Sequence, residues 1–160
     1  MSSLMTNFDP QTTASTTALP DPVAQPEFYV GVTFKRFLAW IVDVILIGTL
    51  SAIVATLPLF IGWFFFPIIY LGIAVVYRVT TISARSATLG MRLFNIELRD
   101  HQGARLDGGT AALHTIGYLV ASAFFLPQMI SLLMMLLGGR GQGLHDLLIG
   151  TAAINRPARY

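Results

Sequence analysis

The chain has 160 residues, a formal charge of +2, and only 11% charged against 54% hydrophobic residues. A soluble domain carries about 25% charged residues, so this chain is too poor in charge to cover its own surface in water. The small net charge argues against a nucleic-acid binder, and the absence of cysteine excludes disulfides, thiolate metal sites and cysteine nucleophiles.

The stretch from Met1 to Glu27 is Thr, Ser, Ala and Pro, with acids at Asp9, Asp21 and Glu27. No Lys or Arg precedes Lys35, so the basic opening of a signal peptide is missing. Such a segment buries too little apolar surface to offset its ordering entropy, which predicts a disordered polar tail over residues 1–30. The first membrane span is expected from Phe37 to Leu57, with Asp43 as its one charge. Lys35 and Arg36 stand just before it, where long basic side chains reach the headgroups. Pro58 and Gly62 mark a short turn. A second span follows from Ile61 to Thr80, rich in aromatics, with Trp63 and Tyr77 near its ends. Pro67 should kink it.

From Ser83 to Thr110 the chain turns polar. Five arginines (Arg78, Arg85, Arg92, Arg99, Arg105) fall in and beside this stretch. The alternation around Asn95–Arg99, the turn Asp100-His101-Gln102-Gly103 and the short return Ala104–Leu106 predict a β-hairpin on the membrane surface. Asp107 or Thr110 would cap the next helix. Ala111 to Leu137 is ambiguous. As one helix it would measure about 40 Å at 1.5 Å per residue, more than the roughly 30 Å hydrocarbon core. It is either one tilted, kinked span or a helical hairpin turning near Leu126-Pro127-Gln128. A glycine-rich loop, Gly138–Gly143, leads to a short amphipathic piece from Leu144 to Ile154. Lys35, Arg36 and the Arg-rich loop belong in the cytoplasm by the positive-inside rule. If Arg140, Arg156 and Arg159 join them, the chain crosses an even number of times, which favours the hairpin.

Asp43 carries the argument further. A carboxylate about 10 Å inside a helix of 1.5 Å rise must face the bundle interior and find a partner, or keep its proton. Arg36 lies on the same helix face, two turns earlier, although its side chain tilts toward the N-terminus and away from Asp43. Asp146 lies off the small apolar face of Leu144, Leu147 and Leu148, and could accept from Arg36 or cap backbone donors.

Arg36-Phe37-Leu38-Ala39-Trp40-Ile41-Val42-Asp43 resembles the opening of the RDD family, membrane proteins named for one Arg and two Asp. Leu144-His145-Asp146-Leu147-Leu148-Ile149-Gly150-Thr151 is similar to the family's closing motif, with Asp146 as the second Asp. Thr88-Leu89-Gly90-Met91-Arg92-Leu93 resembles its middle block. The three stand in the right order and span roughly Val32 to Ile154. The chain departs from the pattern at Met91, where Lys is common, and at His114, where an Arg often opens the third hydrophobic segment. The resemblance implies a small helical membrane domain, and transport has been suggested for the family, including sodium–proton exchange by some members.

The expected architecture is therefore an all-α membrane protein. A bundle of three to four transmembrane or re-entrant helices carries a cytoplasmic β-hairpin over residues 31–155, followed by a C-terminal tail, residues 156–160. The chain would lie in the inner (plasma) membrane with its N-terminus cytoplasmic. Arg36, Asp43, Asp146 and His145 form the candidate polar site, in which His145 beside Asp146 could relay protons. The bland alternative makes these residues a network that fixes helix packing. His101, His114 and His145 could meet at a metal only if the fold gathers them, and their spacing matches no metal motif, so no metal and no cofactor are expected. No nucleotide-binding or serine-nucleophile motif is present, and an enzyme is the least supported class. Two functions compete. One is transport, with a homo-oligomer coupling cations or protons through Asp43 and Arg36. The other is a non-catalytic scaffold or accessory subunit in a larger membrane complex. An Asp43 open to a water-filled cavity would favour transport, and a dry, fully paired Asp43 the scaffold.

Overall fold

The computed structural model describes residues 17–58 and 60–156. Its frame is a pair of long helices, α1 (Val32–Thr56) and α2 (Phe66–Arg85). With their flanking turns, both are long and apolar enough to cross a membrane. Helix α1 buries Ala39, Asp43, Ile47, Ser51 and Ala55, one residue at every fourth position. Small side chains on such a stripe let neighbouring helices approach closely. At the far end, Gly62, in the 3-10 turn Ile61–Phe65, lies so near the Ala55 backbone that any side chain would collide. Ile45, Ile53, Phe64, Ile68 and Val76 stay exposed on the outside, as lipid-facing residues do. Pro67, expected to kink the second span, instead stands in the first turn of α2. Its missing N–H costs nothing there.

Beyond α2 the chain makes a short helix, α3 (Leu89–Leu93), capped by Thr88, whose Oγ1 accepts from the Met91 N–H at 3.2 Å. Strand β1 (Ile96–Arg99) follows. The expected hairpin is corrected here. The turn at Asp100 exists, with the Gly103 N–H donating to the Asp100 carbonyl at 2.9 Å. The return, Ala104–Leu106, does not pair as a strand. Its Leu106 N–H instead donates to Ser86 Oγ at 2.7 Å. The true partner of β1 is β2 (Ala152–Asn155), antiparallel, with Glu97 opposite Ile154. Both strands are buried along most of their length, and Ile96, Leu98 and Ala153 share a core with Val32, Ile82 and Leu106. A turn signal reports a reversal of the chain, but burial decided which segment lies alongside.

Helices α4 (Gly108–Ala123) and α5 (Phe125–Leu137) meet at a bend of 115°. Asp107 caps α4 as expected, accepting from the Thr110 N–H at 2.7 Å. The break falls at the extended Phe124, slightly before the expected position, and Pro127 sits in the first turn of α5. Both ends of the pair lie beside the start of α1. Leu106, before α4, packs with Val32. The Met135 carbonyl, at the end of α5, accepts from Thr33 Oγ1 at 3.1 Å. The pair is therefore sharply bent, with both of its ends beside the start of α1. Helix α6 (Leu144–Ile149) ends at Gly150, and the rest of the expected amphipathic piece is β2.

The expected polar tail differs from Thr17 onward. Leu19 and Tyr29 are buried with Ala152 and Ile154. The Ala18 N–H donates to the His101 carbonyl at 2.8 Å, and Asn155 Nδ2 donates to the Glu27 and Val30 carbonyls at 2.9 and 3.0 Å. Leu19 and Tyr29 supply the apolar contacts that the surrounding Ser, Thr and Pro hide in a composition average. Residues 1–16 of the tail and residues 157–160, Arg159 among them, lie outside the described residues.

Candidate functional site

The two aspartates on which the sequence reading rested are both sealed from solvent, in separate places. Asp43 is 2% exposed. Its Oδ1 accepts from Tyr77 Oη at 2.6 Å and from the Gly90 N–H at 3.0 Å, and its Oδ2 accepts from Thr88 Oγ1 at 2.6 Å. Tyr77 Oη in turn accepts from the Leu89 N–H at 3.0 Å. One carboxylate thus ties α1 to α2 and to the start of α3. Gly90 is required for the approach, because a Cβ there would run into the Ala39 carbonyl and come within 2.9 Å of Asp43 Oδ1. The expected pairing of Asp43 with Arg36 is corrected. Arg36 follows its helical tilt toward the N-terminus and leaves Asp43 to neutral donors.

Arg36 goes to Asp146 instead, its Nη1 lying 2.6 Å from Oδ2. The same nitrogen donates to the Gly141 carbonyl at 3.2 Å. Gly141 takes a left-handed φ of +57°, and any Cβ would meet Thr33 Oγ1 at 2.7 Å. Asp146 is fully buried. It sits in the first turn of α6, where Oδ2 also accepts from the Gly143 N–H at 2.9 Å. Oδ1 lies 2.9 Å from His114 Nε2 and accepts from Thr151 Oγ1 at 3.2 Å. Burial alone would raise its pKa. The Arg36 charge and the His114 hydrogen bond outweigh that and hold the carboxyl well below the usual range.

His145 is buried beside this pair, its Nε2 3.5 Å from Asp146 Oδ1 and its ring 4.9 Å from that of His114, edge to face. Burial pulls its pKa down to about 4, against the opposing pull of Asp146. Neither of its ring nitrogens has a hydrogen-bond partner. Nearby, Arg78 lies over the Tyr118 ring at 4.3 Å, and Tyr118 Oη accepts from Trp40 Nε1 at 2.9 Å. His101 is elsewhere, against Gly150. A third sealed carboxylate, Glu97, accepts from both Arg99 and, at 3.1 Å, Arg156 Nε. Burial opposes its charge, and the two arginines more than offset that, so its pKa is lowered.

Sequence reasoning named Arg36, Asp43, His145 and Asp146, and the structure joins three of them. It missed Tyr77, Thr88, His114 and Thr151 as their partners. Thr88 and Thr151 stood inside the recognised motifs, so they were within reach. Tyr77 and His114 come from other segments and needed the fold.

Fold and site together define a small multi-helix membrane protein whose helices are tied by one partly buried Arg and two buried Asp. The sequence model of the RDD family matches residues 30–150, and the chain belongs to the RDD family. No curated protein and no solved structure matches it.

Proposed function

We propose that this chain is a non-catalytic membrane scaffold or accessory subunit, in which Arg36, Asp43 and Asp146 are fixings rather than carriers. The observation that carries this reading is the state of Asp43: sealed, with three neutral donors on its two oxygens. A coupling carboxylate must be reached by an ion or proton, and a pathway needs polar groups facing water. Here the donors that reach Asp43, from Tyr77, Thr88 and Gly90, tie α1 to α2 and α3. A cavity of about 600 Å³ near Leu137 and Arg140 is lined mainly by apolar side chains and does not include Asp43. On this reading the protein lies in the inner membrane with both termini cytoplasmic. The positive-inside rule supports that placement, because Lys35, the arginines of the middle loop, Arg140 and Arg156 all cluster at the sheet end of the fold. Exposed apolar residues of the second span, such as Phe64 and Ile68, would meet a partner.

The test is ion-driven proton flux in proteoliposomes, comparing the native chain with Asp43→Asn at matched levels of folded protein. The expected result is no flux above empty liposomes for either protein, with sodium or potassium gradients. Flux in the native chain that vanishes in the variant would overturn the scaffold and make Asp43 a coupling residue. A photo-reactive residue at Ile68 gives the positive arm: one saturable protein adduct is expected, and adducts with lipid alone would count against a partner there.

A further inference from the structure

We propose that His114, His145 and Asp146 form a binding site for a divalent transition cation of the zinc type. His114 comes from α4, and the other two from the first turn of α6. Each offers one donor atom, and the three atoms lie within 4.8 Å of one another. Asp146 Oδ1 is 2.9 Å from His114 Nε2 and 3.5 Å from His145 Nε2. Zinc bonds of about 2.0–2.1 Å in tetrahedral geometry put neighbouring ligand atoms roughly 3.3 Å apart. These two spacings bracket that value, and the third, between the two imidazoles, is within 4.8 Å, so closing the set around an ion takes a side-chain shift of up to about 1.5 Å. The donor chemistry, two imidazoles and one carboxylate, suits zinc, cobalt or nickel and not magnesium or calcium.

The second observation is independent of this spacing. His145 is 5% exposed, and neither ring nitrogen has a hydrogen-bond partner. A buried polar atom without a hydrogen-bond partner is uncommon in native proteins, and a bound ion is one of the arrangements that satisfies it. A cation would engage Nε2 of His145 and take the place of the proton shared between His114 and Asp146. Gly117 of α4 lets α6 come close, since a Cβ there would lie within 3.3 Å of the His145 Cβ. The second oxygen of Asp146 is held by Arg36 and the Gly143 N–H, which fixes the carboxylate with Oδ1 toward the two rings. The Arg36 guanidinium opposes a dication, so affinity should fall below that of an all-anionic zinc site. Such an ion would clamp α4 to α6 and so close the bent pair onto the C-terminal segment. This inference concerns binding alone and stands whether the protein is a scaffold or a transporter.

The experiment is cobalt titration of the purified full chain in detergent, followed by zinc competition. Visible ligand-field bands of tetrahedral cobalt are expected, saturating at one ion per chain, displaced by zinc and unaffected by magnesium. His145→Gln and His114→Asn should each weaken binding by more than about 100-fold, while His101→Asn should leave it unchanged. Circular dichroism and unfolding of each metal-free variant report whether it is folded. If one variant does not fold, the other and the cobalt spectrum of the native chain still decide. No bound cobalt or zinc in the native chain would overturn the site, as would binding that survives in a folded histidine variant.

Discussion

Asp146→Asn tests the buried ion pair most directly, because it removes one charge and keeps the shape. The carboxylate is fully buried and the Arg36 side chain is 11% exposed, so solvent screens the pair little. Removing one partner of a buried pair costs about 3–5 kcal/mol, since the surviving charge is stranded. Two features of this site move the estimate in opposite directions. An amide nitrogen placed toward Oδ2 would face two donors, Arg36 Nη1 and the Gly143 N–H. Arg36 keeps one acceptor, however, the Gly141 carbonyl at 3.2 Å. The expected loss is therefore near the lower end, about 3 kcal/mol. Reversible unfolding in mixed micelles would measure it, for Asp146→Asn, Arg36→Gln and the double variant. The double variant should lose less than the sum of the two singles, because it strands no charge. A single loss under about 1 kcal/mol, the size seen for exposed pairs, or strict additivity, would refute the claim that this pair holds α1 to α6.

Tyr77→Phe removes a donor to the Asp43 carboxyl group and an acceptor for the Leu89 N–H. It should cost about 1.5–3 kcal/mol in the same unfolding assay. Gly90→Ala places a methyl against the Ala39 carbonyl, so α3 must retreat from α1, and the loss should be about 1–3 kcal/mol. Glu97 has a folded-state pKa depressed below its ordinary 4.5, so its contribution is present above that value and is lost as pH falls through the folded one. The gap in stability between the native chain and Glu97→Gln should accordingly be full at neutral pH and close in acid; a gap independent of pH would count against the Arg99 and Arg156 pairing. The chain has no cysteine, so single cysteines at Gly103 and Gly139 can be probed with a membrane-impermeant thiol reagent. Both should label from the same face, and labelling from opposite faces would make α4 and α5 a crossing span.

What the sequence made legible was whatever is written locally. The two spans show as apolar runs, the Asp107 cap as a polar residue before a helix, and the break between α4 and α5 as a stretch too long to cross straight, with a proline inside it. The strand at Ile96–Arg99 was legible from its alternation, and its partner was not, because β2 lies far along the chain and reads as the tail of a helix. The same limit governed the site. Asp43 and Arg36 share a helix face, which suggested a pair, yet the rotameric tilt of Arg36 sends it to Asp146. The donors that satisfy Asp43 include a backbone N–H, at Gly90, and no pattern of side chains announces that.

The distribution of polar contacts along the bundle bears on how such a protein would work. Arg36, Asp43, Tyr77, Thr88, His114, Asp146 and the sheet all stand at the end of the bundle where α1 begins and α2 ends. Toward the other end, α1 keeps only the stripe Ile47, Ser51 and Ala55 buried, and Ser51 spends its hydroxyl on its own helix, on the Ile47 carbonyl at 2.7 Å. One end is thus locked by charge and hydrogen bonds, and the other is held by close packing of Ile47, Ser51 and Ala55. In hydrocarbon, apolar packing between helices competes with lipid tails of equal apolarity. The far ends of α1 and α2 are therefore free to exchange lipid for another helix at little cost, while the locked end keeps the register of the pair. That division suits a subunit which docks along its spans, and it gives Asp43 and Asp146 a reason to be buried that requires no ion to pass them.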